Sequence, residues 1–263
     1  MHLGLKDSKV IVTGGASHIG RAIVLALAAE GANVAIVDID KAQAERTAER
    51  ARARGAADAH VVAADLTDLD AAERACQEAM QRLDGISTLI SNAGANRPDF
   101  FLKLDPKGWR RTLDLNLTAV MCCTRAVLPA MIDGGGGAIV ATASTAALGE
   151  QRQSVYAAAK AGVVAFVRTI ALEYGRHGVR ANCVSPGLTL PEDAESLGAQ
   201  SLWNDRDAVM NDAQTDYVVK ATPLRRLSRP EDIARSVVFL ASPVAARQIT
   251  GQTITVAGGF AMR

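Results

Sequence analysis

Short apolar runs rich in β-branched residues alternate along this chain with longer stretches of helical period. Lys9–Thr13 (KVIVT) predicts a strand that Gly14 and Gly15 close. Residues 19–30 predict a helix that stops at Gly31. Asn33–Asp38 (NVAIVD) predicts a second strand, and residues 41–54 a helix ending at Gly55. Strand-like runs recur at Ala59–Ala63, 86–91, 138–143 and 179–184, and helical stretches at 68–83, 107–132 and Ser154–His177. Pro230 opens another helix, with Glu231 and Asp232 in its first turn, and Thr253–Val256 is a last strand. Strands alternating with helices of this length make βαβ units and a parallel sheet. The strands are nearly continuous apolar runs, as expected when helices cover both faces. The expected architecture is α/β, a doubly wound parallel sheet in one domain spanning 1–263.

One segment breaks the alternation. Residues 188–222 are long, polar and mildly acidic, with few apolar anchors, Trp203 and Tyr217 among them. A long excursion in a compact α/β domain predicts a functional lid. The glycine run 134–137 sits between a helix and a strand and reads as a tight connection.

Composition narrows the function classes. Lys and Arg total 29 against 28 Asp and Glu, a formal net charge of +1. That balance gives no basic surplus for nucleic acid or an anionic membrane. Hydrophobic residues make up 49% of the chain, ample for a buried core. Cys76, Cys122, Cys123 and Cys183 form no zinc-type spacing, so no metal is expected, and they read as buried small hydrophobes in a reducing compartment. Lys6, Asp7 and Lys9 interrupt any signal-peptide core, and the apolar run 22–29 is too short to span a bilayer. A cytoplasmic protein without nucleic-acid or membrane partners is expected.

Between the first strand and the first helix lies Thr13-Gly14-Gly15-Ala16-Ser17-His18-Ile19-Gly20. A glycine-rich strand-to-helix turn lets backbone N–H groups approach a pyrophosphate, and the helix dipole favours the negative charge. Asp38 ends the second strand, where its carboxylate accepts from ribose hydroxyls and repels a 2′-phosphate. The competing role for Asp38 is a helix cap, for which Asp40 is a second candidate. No Arg or Lys occupies Ala16, Ser17 or Ile39, so NAD is favoured over NADP.

Further along, Ser144 precedes Tyr156, and Tyr156 and Lys160 lie one helical turn apart. In this order the motifs resemble one family, the short-chain dehydrogenases/reductases, and the resemblance runs from Leu5 to Phe260. It implies a Rossmann-type fold and alcohol–ketone chemistry. The turn corresponds to T-G-x-x-x-G-x-G through Thr13, Gly14 and Gly20, with His18 where the middle glycine belongs; Ser17 and Ile19 flank it in the implied cofactor site. Asp65-Leu66 resembles the family's adenine contact, and Ser91-Asn92-Ala93-Gly94 its N-N-A-G turn with Ser for the first Asn. Asn116, Ser144, Tyr156 and Lys160 match the catalytic tetrad. Asn182 with Pro186-Gly187 matches N-x-x-x-P-G at the nicotinamide, followed by Leu188 and by Thr189, which comes early. Ala257 replaces an Asp often found near the end.

The tetrad has a physical reading. A phenol with a pKa near 10 is a poor base at neutral pH, and the ammonium of Lys160 should lower that value. Tyr156 would then exchange a proton with the substrate oxygen, which Ser144 holds. By resemblance, Lys160 also bonds the nicotinamide ribose, and Asn116 holds a relaying water. The same topology lines the substrate pocket with 96–101, the residues before Tyr156, and 188–222. These carry Asn96, Arg97, Gln151, Arg152, Gln153 and Trp203, a polar lining that suits a sugar, polyol or hydroxy acid. A 3-oxoacyl or alicyclic acyl-thioester ketoreductase is the alternative, and a non-catalytic NAD-binding scaffold the remote one. Family members pair through the helices equivalent to 107–132 and Ser154–His177, which implies a homotetramer.

Overall fold

The computed structural model describes every residue except Met1, Glu192, Gln200, 205–210, Met262 and Arg263. Among the described residues a 7-stranded sheet runs in the order β3-β2-β1-β4-β5-β6-β7. Its strands are β1 Lys9–Thr13, β2 Asn33–Asp38, β3 Ala59–Ala63, β4 Thr88–Ser91, β5 Gly137–Thr142, β6 Val179–Pro186 and β7 Thr253–Val256. Every pairing is parallel. The first crossovers build outward from β1 to β3, and the next returns to the other side of β1. The strand order therefore reverses between β1 and β4, the place where a doubly wound sheet opens a crevice for a ligand.

Both faces are covered, as the apolar strands require. On one face α1 (His18–Ala29), α2 (Lys41–Ala53) and α8 (Pro230–Ala241) bury Ile23, Val24, Leu27, Ala44, Ile233 and Val237 against Val10, Val12 and Ile36. On the other, α3 (Leu69–Leu83), α5 (Ala119–Asp133) and α6 (Ser154–Tyr174) bury Cys76, Cys123, Val127, Val163 and Val167 against Ile11, Leu89 and Ile139. The stretches Pro106–Asp133 and Ser154–His177 are long and apolar enough to cross a membrane by length and composition alone; here they pack against this sheet.

Three departures from the periodicity matter for the site. β4 begins at Thr88 rather than 86, although the Ser87 amide already donates to the Lys9 carbonyl of β1 at 2.9 Å. β6 continues to Pro186, which pairs with Val256 and carries the chain to the top of the sheet. The expected helix 107–132 is interrupted: α4 (Pro106–Leu113) is followed by a π-helical turn, Asp114–Thr118, before α5. Such bulges recur at functional sites because they re-aim a side chain.

The segment 188–222 has structure of its own among its described residues. It contains 3₁₀ turns at Ala194–Ser196 and Leu202–Asn204 and a helix, α7 (Asp212–Ala221), opened by an Asn211/Gln214 capping box. It lies against α2. Gln43 Nε2 donates to the Glu195 carbonyl at 3.0 Å, the Ala199 amide to Asp40 Oδ2 at 2.9 Å, and Arg50 pairs with Glu195 at 2.9 Å.

Candidate active site

The crevice between β1 and β4 is built from two turns that lock onto each other. Thr13 Oγ1 accepts from the Asn92 and Ala93 amides at 3.0 and 3.1 Å. Asn92 Nδ2 donates to the Gly14 carbonyl at 3.1 Å, and Thr142 Oγ1 donates to Asn92 Oδ1 at 3.2 Å. The approach is close enough to demand glycine. A Cβ on Gly14 would stand 2.7 Å from Ala93 Cα, and one on Gly20 only 1.8 Å from the Gly14 carbonyl oxygen. Above this lock α1 begins, and its N-cap, Ser17, makes no side-chain cap bond. The orphan N–H groups of the first turn and the helix dipole are thus left for an anion. The residues fit a dinucleotide.

Asp38 stands beside this turn. Its Oδ2 accepts from the Ala16 amide and its Oδ1 from the Asp40 amide, each at 3.0 Å. Burial raises the pKa of its carboxyl, while these amides pull it back. The cap role belongs to Asp40, which accepts from the Gln43 amide at 3.0 Å at the start of α2. Asp65 accepts from the amide and hydroxyl of Thr67 at 2.9 and 2.8 Å, and these bonds hold its carboxyl below the usual range. Leu66 is buried near Ala93 at the base of the same crevice. At the opposite end, the Gly187 amide donates to Val256 at 3.0 Å, and Thr189 Oγ1 donates to the Gly187 carbonyl at 3.1 Å. A Cβ on Gly187 would stand 2.7 Å from the Ala257 Cβ, so the bend after Pro186 also depends on a missing side chain.

His18 adopts a φ of +51°, a left-handed backbone that histidine tolerates better than most residues. Its ring lies 5.6 Å from that of Trp203. Burial drives its pKa down to about 4, partly offset by the backbones of Thr189 and Leu190, and its buried Nε2 has no partner. Trp203, expected at the substrate, thus packs on the phosphate turn in this structure. The contacts of Glu195 and Ala199 with α2 draw the segment over the phosphate turn, and Trp203 goes with it.

The tetrad comes together around Gly94. Lys160 is buried and donates from Nζ to the Thr142 carbonyl at 2.8 Å. Asn116, aimed by the π-helical turn, donates from Nδ2 to the Ala95 and Thr112 carbonyls at 2.9 and 3.0 Å, while its buried Oδ1 has no partner. A Cβ on Gly94 would stand 2.7 Å from Asn116 Oδ1 and 3.3 Å from Lys160 Nζ, so this glycine keeps both polar atoms facing one space. Ser144 caps its turn, accepting from the Ala146 amide at 3.1 Å, and its hydroxyl pulls the pKa of the Tyr156 phenol down.

Burial dominates the electrostatics of Tyr156 and Lys160. Burial raises the pKa of Tyr156, with Ser144 pulling it down and Glu150 adding to the rise. Burial also lowers Lys160, to about 8. The ammonium stands 5.6 Å from the phenol ring centroid, and its charge does not outweigh the desolvation of the phenolate.

At the substrate end the polar residues bond each other. Asn96 Nδ2 donates to Gln153 Oε1 at 2.8 Å, and Arg152 Nη2 donates to the Pro98 carbonyl at 3.1 Å. Arg97 is exposed. Phe100, Phe101 and Leu148, which the motifs did not single out, are about half exposed on the same two stretches, 96–101 and 145–153. Thr142 and Glu150 were not singled out by the motifs, and Thr13 was named there only as the start of the glycine-rich turn. The hydroxyls of Thr13 and Thr142 sit at the C-terminal ends of their strands, a position that could have marked them. Nothing in the order of residues places Glu150 near Tyr156. Among the described residues no group of three or more His, Cys, Asp or Glu could hold a metal ion.

Comparison with known proteins is consistent with this geometry. Residues 14–261 match the family model described as Enoyl-(Acyl carrier protein) reductase. An acetoacetyl-CoA reductase of Synechocystis is 35% identical over 259 residues, 98% of this chain and 98% of the relative. The chain belongs to the short-chain dehydrogenases/reductases. A second relative within this family, a 3-oxoacyl-[acyl-carrier-protein] reductase of Synechocystis, is 34% identical over 256 residues and 96% of either chain. Among solved structures, 7α-hydroxysteroid dehydrogenase complexed with NADH and 7-oxo glycochenodeoxycholic acid superposes with a TM-score of 0.89 at 29% identity, covering 98% of this chain and 96% of that one. As a short-chain dehydrogenase/reductase, the protein is an oxidoreductase acting on CH–OH groups.

Proposed function

We propose that this enzyme is an NADH-linked ketoreductase of 3-oxoacyl or alicyclic acyl thioesters. The observation that carries the reading is the mouth of the site. Asn96, Arg152 and Gln153 are bonded to neighbouring groups, and Phe100, Phe101 and Leu148 stand exposed on the same stretches beside the polar Arg97, Glu150 and Gln151. Those apolar side chains receive an acyl chain better than a ring of hydroxyls. Relatives that reduce acetoacetyl-CoA and 3-oxoacyl-carrier substrates support the same choice.

When bound, NADH supplies the hydride and carries no positive charge on its ring. The chain's own residues supply the rest. The first turn of α1 would hold the pyrophosphate and Asp38 the adenosine ribose. Lys160 and Asn116 face the nicotinamide end across Gly94. Ser144 donates to the carbonyl oxygen where negative charge develops. Tyr156, kept protonated by burial, delivers its phenolic proton to that oxygen. A phenol with a raised pKa stays protonated at neutral pH, the state that reduction of a ketone requires, although it holds its proton more tightly than a free phenol. Reduction should therefore hold steady across neutral pH and fall only as pH rises through the phenol's pKa. The four free cysteines suit a reducing, cytoplasmic setting.

The test is a panel of acetoacetyl-CoA, alicyclic ketones, sugars and 2-oxo acids with NADH or NADPH, followed by nucleotide absorbance. Acetoacetyl-CoA or an alicyclic ketone should give the highest kcat/KM. A sugar or 2-oxo acid turned over faster would reject the thioester reading in favour of a small polar substrate. NADH should bind about tenfold or more tighter than NADPH, because the Asp38 carboxylate would face a phosphate with no cation at Ile39. Asp38→Ala with Ile39→Arg should reverse the order, and equal wild-type affinities would defeat the assignment.

A further inference from the structure

Two strips border the mouth of the active site, residues 96–101 after β4 and 150–153 before α6. They are joined at three hydrogen bonds. Asn96 Nδ2 donates to Gln153 Oε1 at 2.8 Å, the Asp99 amide to the Arg152 carbonyl at 2.9 Å, and Arg152 Nη2 to the Pro98 carbonyl at 3.1 Å. The Arg152 guanidinium also stands 5.8 Å from the centroid of the Phe100 ring.

Helix α6 gives something up to make these contacts. Gln153 is its N-cap, yet its side chain forms no cap bond, because the amide reaches across to Asn96. Arg152 holds a φ of +66°, in the left-handed region that strains a long side chain. Both are local costs, and the offsetting contacts lie across the mouth rather than within the helix. Strain of this kind is kept where the surroundings over-determine it.

We propose that Arg152 and Gln153 are positioning residues: they clasp the 96–101 strip to the start of α6 and so set the width of the cleft before Tyr156. Tyr156 follows Gln153 within the first turn of the helix. The strip's near end is already anchored, because the Ala95 carbonyl accepts from Asn116 at 2.9 Å. Opening the clasp frees the far end, with Phe100, and leaves the cofactor turn and the tetrad in place. The clasp therefore acts on substrate affinity, and the group it discriminates is the apolar part of the substrate beyond the carbonyl.

The apolar class rests on the ketoreductase reading; the clasp itself does not. The test compares Asn96→Ala, Gln153→Ala and their double variant with wild type, using acetoacetyl-CoA and NADH. KM should rise about fivefold for each single variant, the size of one net hydrogen bond, with kcat within about twofold. The NADH dissociation constant should not move. The double variant should be no worse than either single, since both remove one shared bond. Unchanged KM, multiplicative losses, or a joint fall in kcat and NADH affinity would overturn the proposal. If wild type ignores acetoacetyl-CoA, the thioester reading fails, and the same cycle is run on the ketone the panel identifies. A substrate-free measurement stands beside it: in the NADH complex, hydrogen exchange at the Asp99 amide should quicken in Gln153→Ala, and unaltered exchange would reject the clasp whatever the substrate.

Discussion

Burial sets the protonation of three side chains in this site, and each responds differently. Tyr156 is pushed toward the neutral phenol, Lys160 toward the neutral amine, and His18 toward the neutral imidazole. Tyr156→Phe removes the proposed proton carrier and should lower kcat by about two to four orders of magnitude, with NADH binding retained in a fluorescence titration. His18 affects stability. Its folded pKa of about 4 lies below the ordinary 6.5, so between these values the unfolded chain binds more protons than the folded one. Stability is therefore lost as pH falls through that window. His18→Asn keeps a residue that tolerates positive φ, and its denaturation midpoint should depend less on pH between 4 and 6.5 than the wild type's. Identical pH dependences would show that the imidazole is not held neutral. The candidate residues at this scale could be picked out of the chain by motif, and the structure brings Asn116 and Lys160 together across Gly94. Their energetics were not legible, because the desolvation of Tyr156 comes from surroundings that no local pattern encodes.

Among elements, the π-helical turn Asp114–Thr118 has the clearest local role. It lies inside a run whose apolar period reads as unbroken helix, which is why the sequence predicted a single element over 107–132. The extra residue in the turn swings Asn116 inward to the Ala95 and Thr112 carbonyls. Gly94→Ala probes that placement, since the new methyl would meet Asn116 Oδ1 at 2.7 Å. It should reduce kcat by about tenfold or more while the far-ultraviolet dichroism stays that of wild type. Full turnover in this variant would mean that the space before Asn116 is not used. Strands and outer helices were legible because periods of 2 and 3.6 residues are local signals. The course of 188–222 was not. Gln43 and Glu195 lie 152 positions apart, and no periodicity announces a contact at that separation. Arg50→Ala with Gln43→Ala should speed hydrogen exchange through 193–199 without altering that of β1, whereas unchanged exchange would show that these bonds do not hold the segment.

For the whole molecule, the surface of the long helices raises the question of assembly. Leu172 on α6 is 85% exposed, and Met121 on α5 is 36% exposed. Apolar side chains on the helices through which family members pair fit a two-fold interface, and a second contact along β7 would close a homotetramer. Light scattering should report that tetramer at micromolar concentration, and Leu172→Glu should reduce it to a smaller species. A wild-type monomer would contradict the assembly. The segment after β6, over its described residues 193–199 and 201–204, crosses the molecule. It touches His18 in the phosphate turn and Asp40 at the head of α2, so it bridges the two elements that flank Asp38. The strips 96–101 and 150–153 lie outside that bridge. We expect the ketone to exchange with solvent without disturbing this bridge and the nucleotide to pass only when the bridge lifts, and hence an order in which nucleotide enters first and departs last. Steady-state product inhibition should then show NAD competing with NADH alone, and the alcohol product competing with neither substrate in a simple pattern.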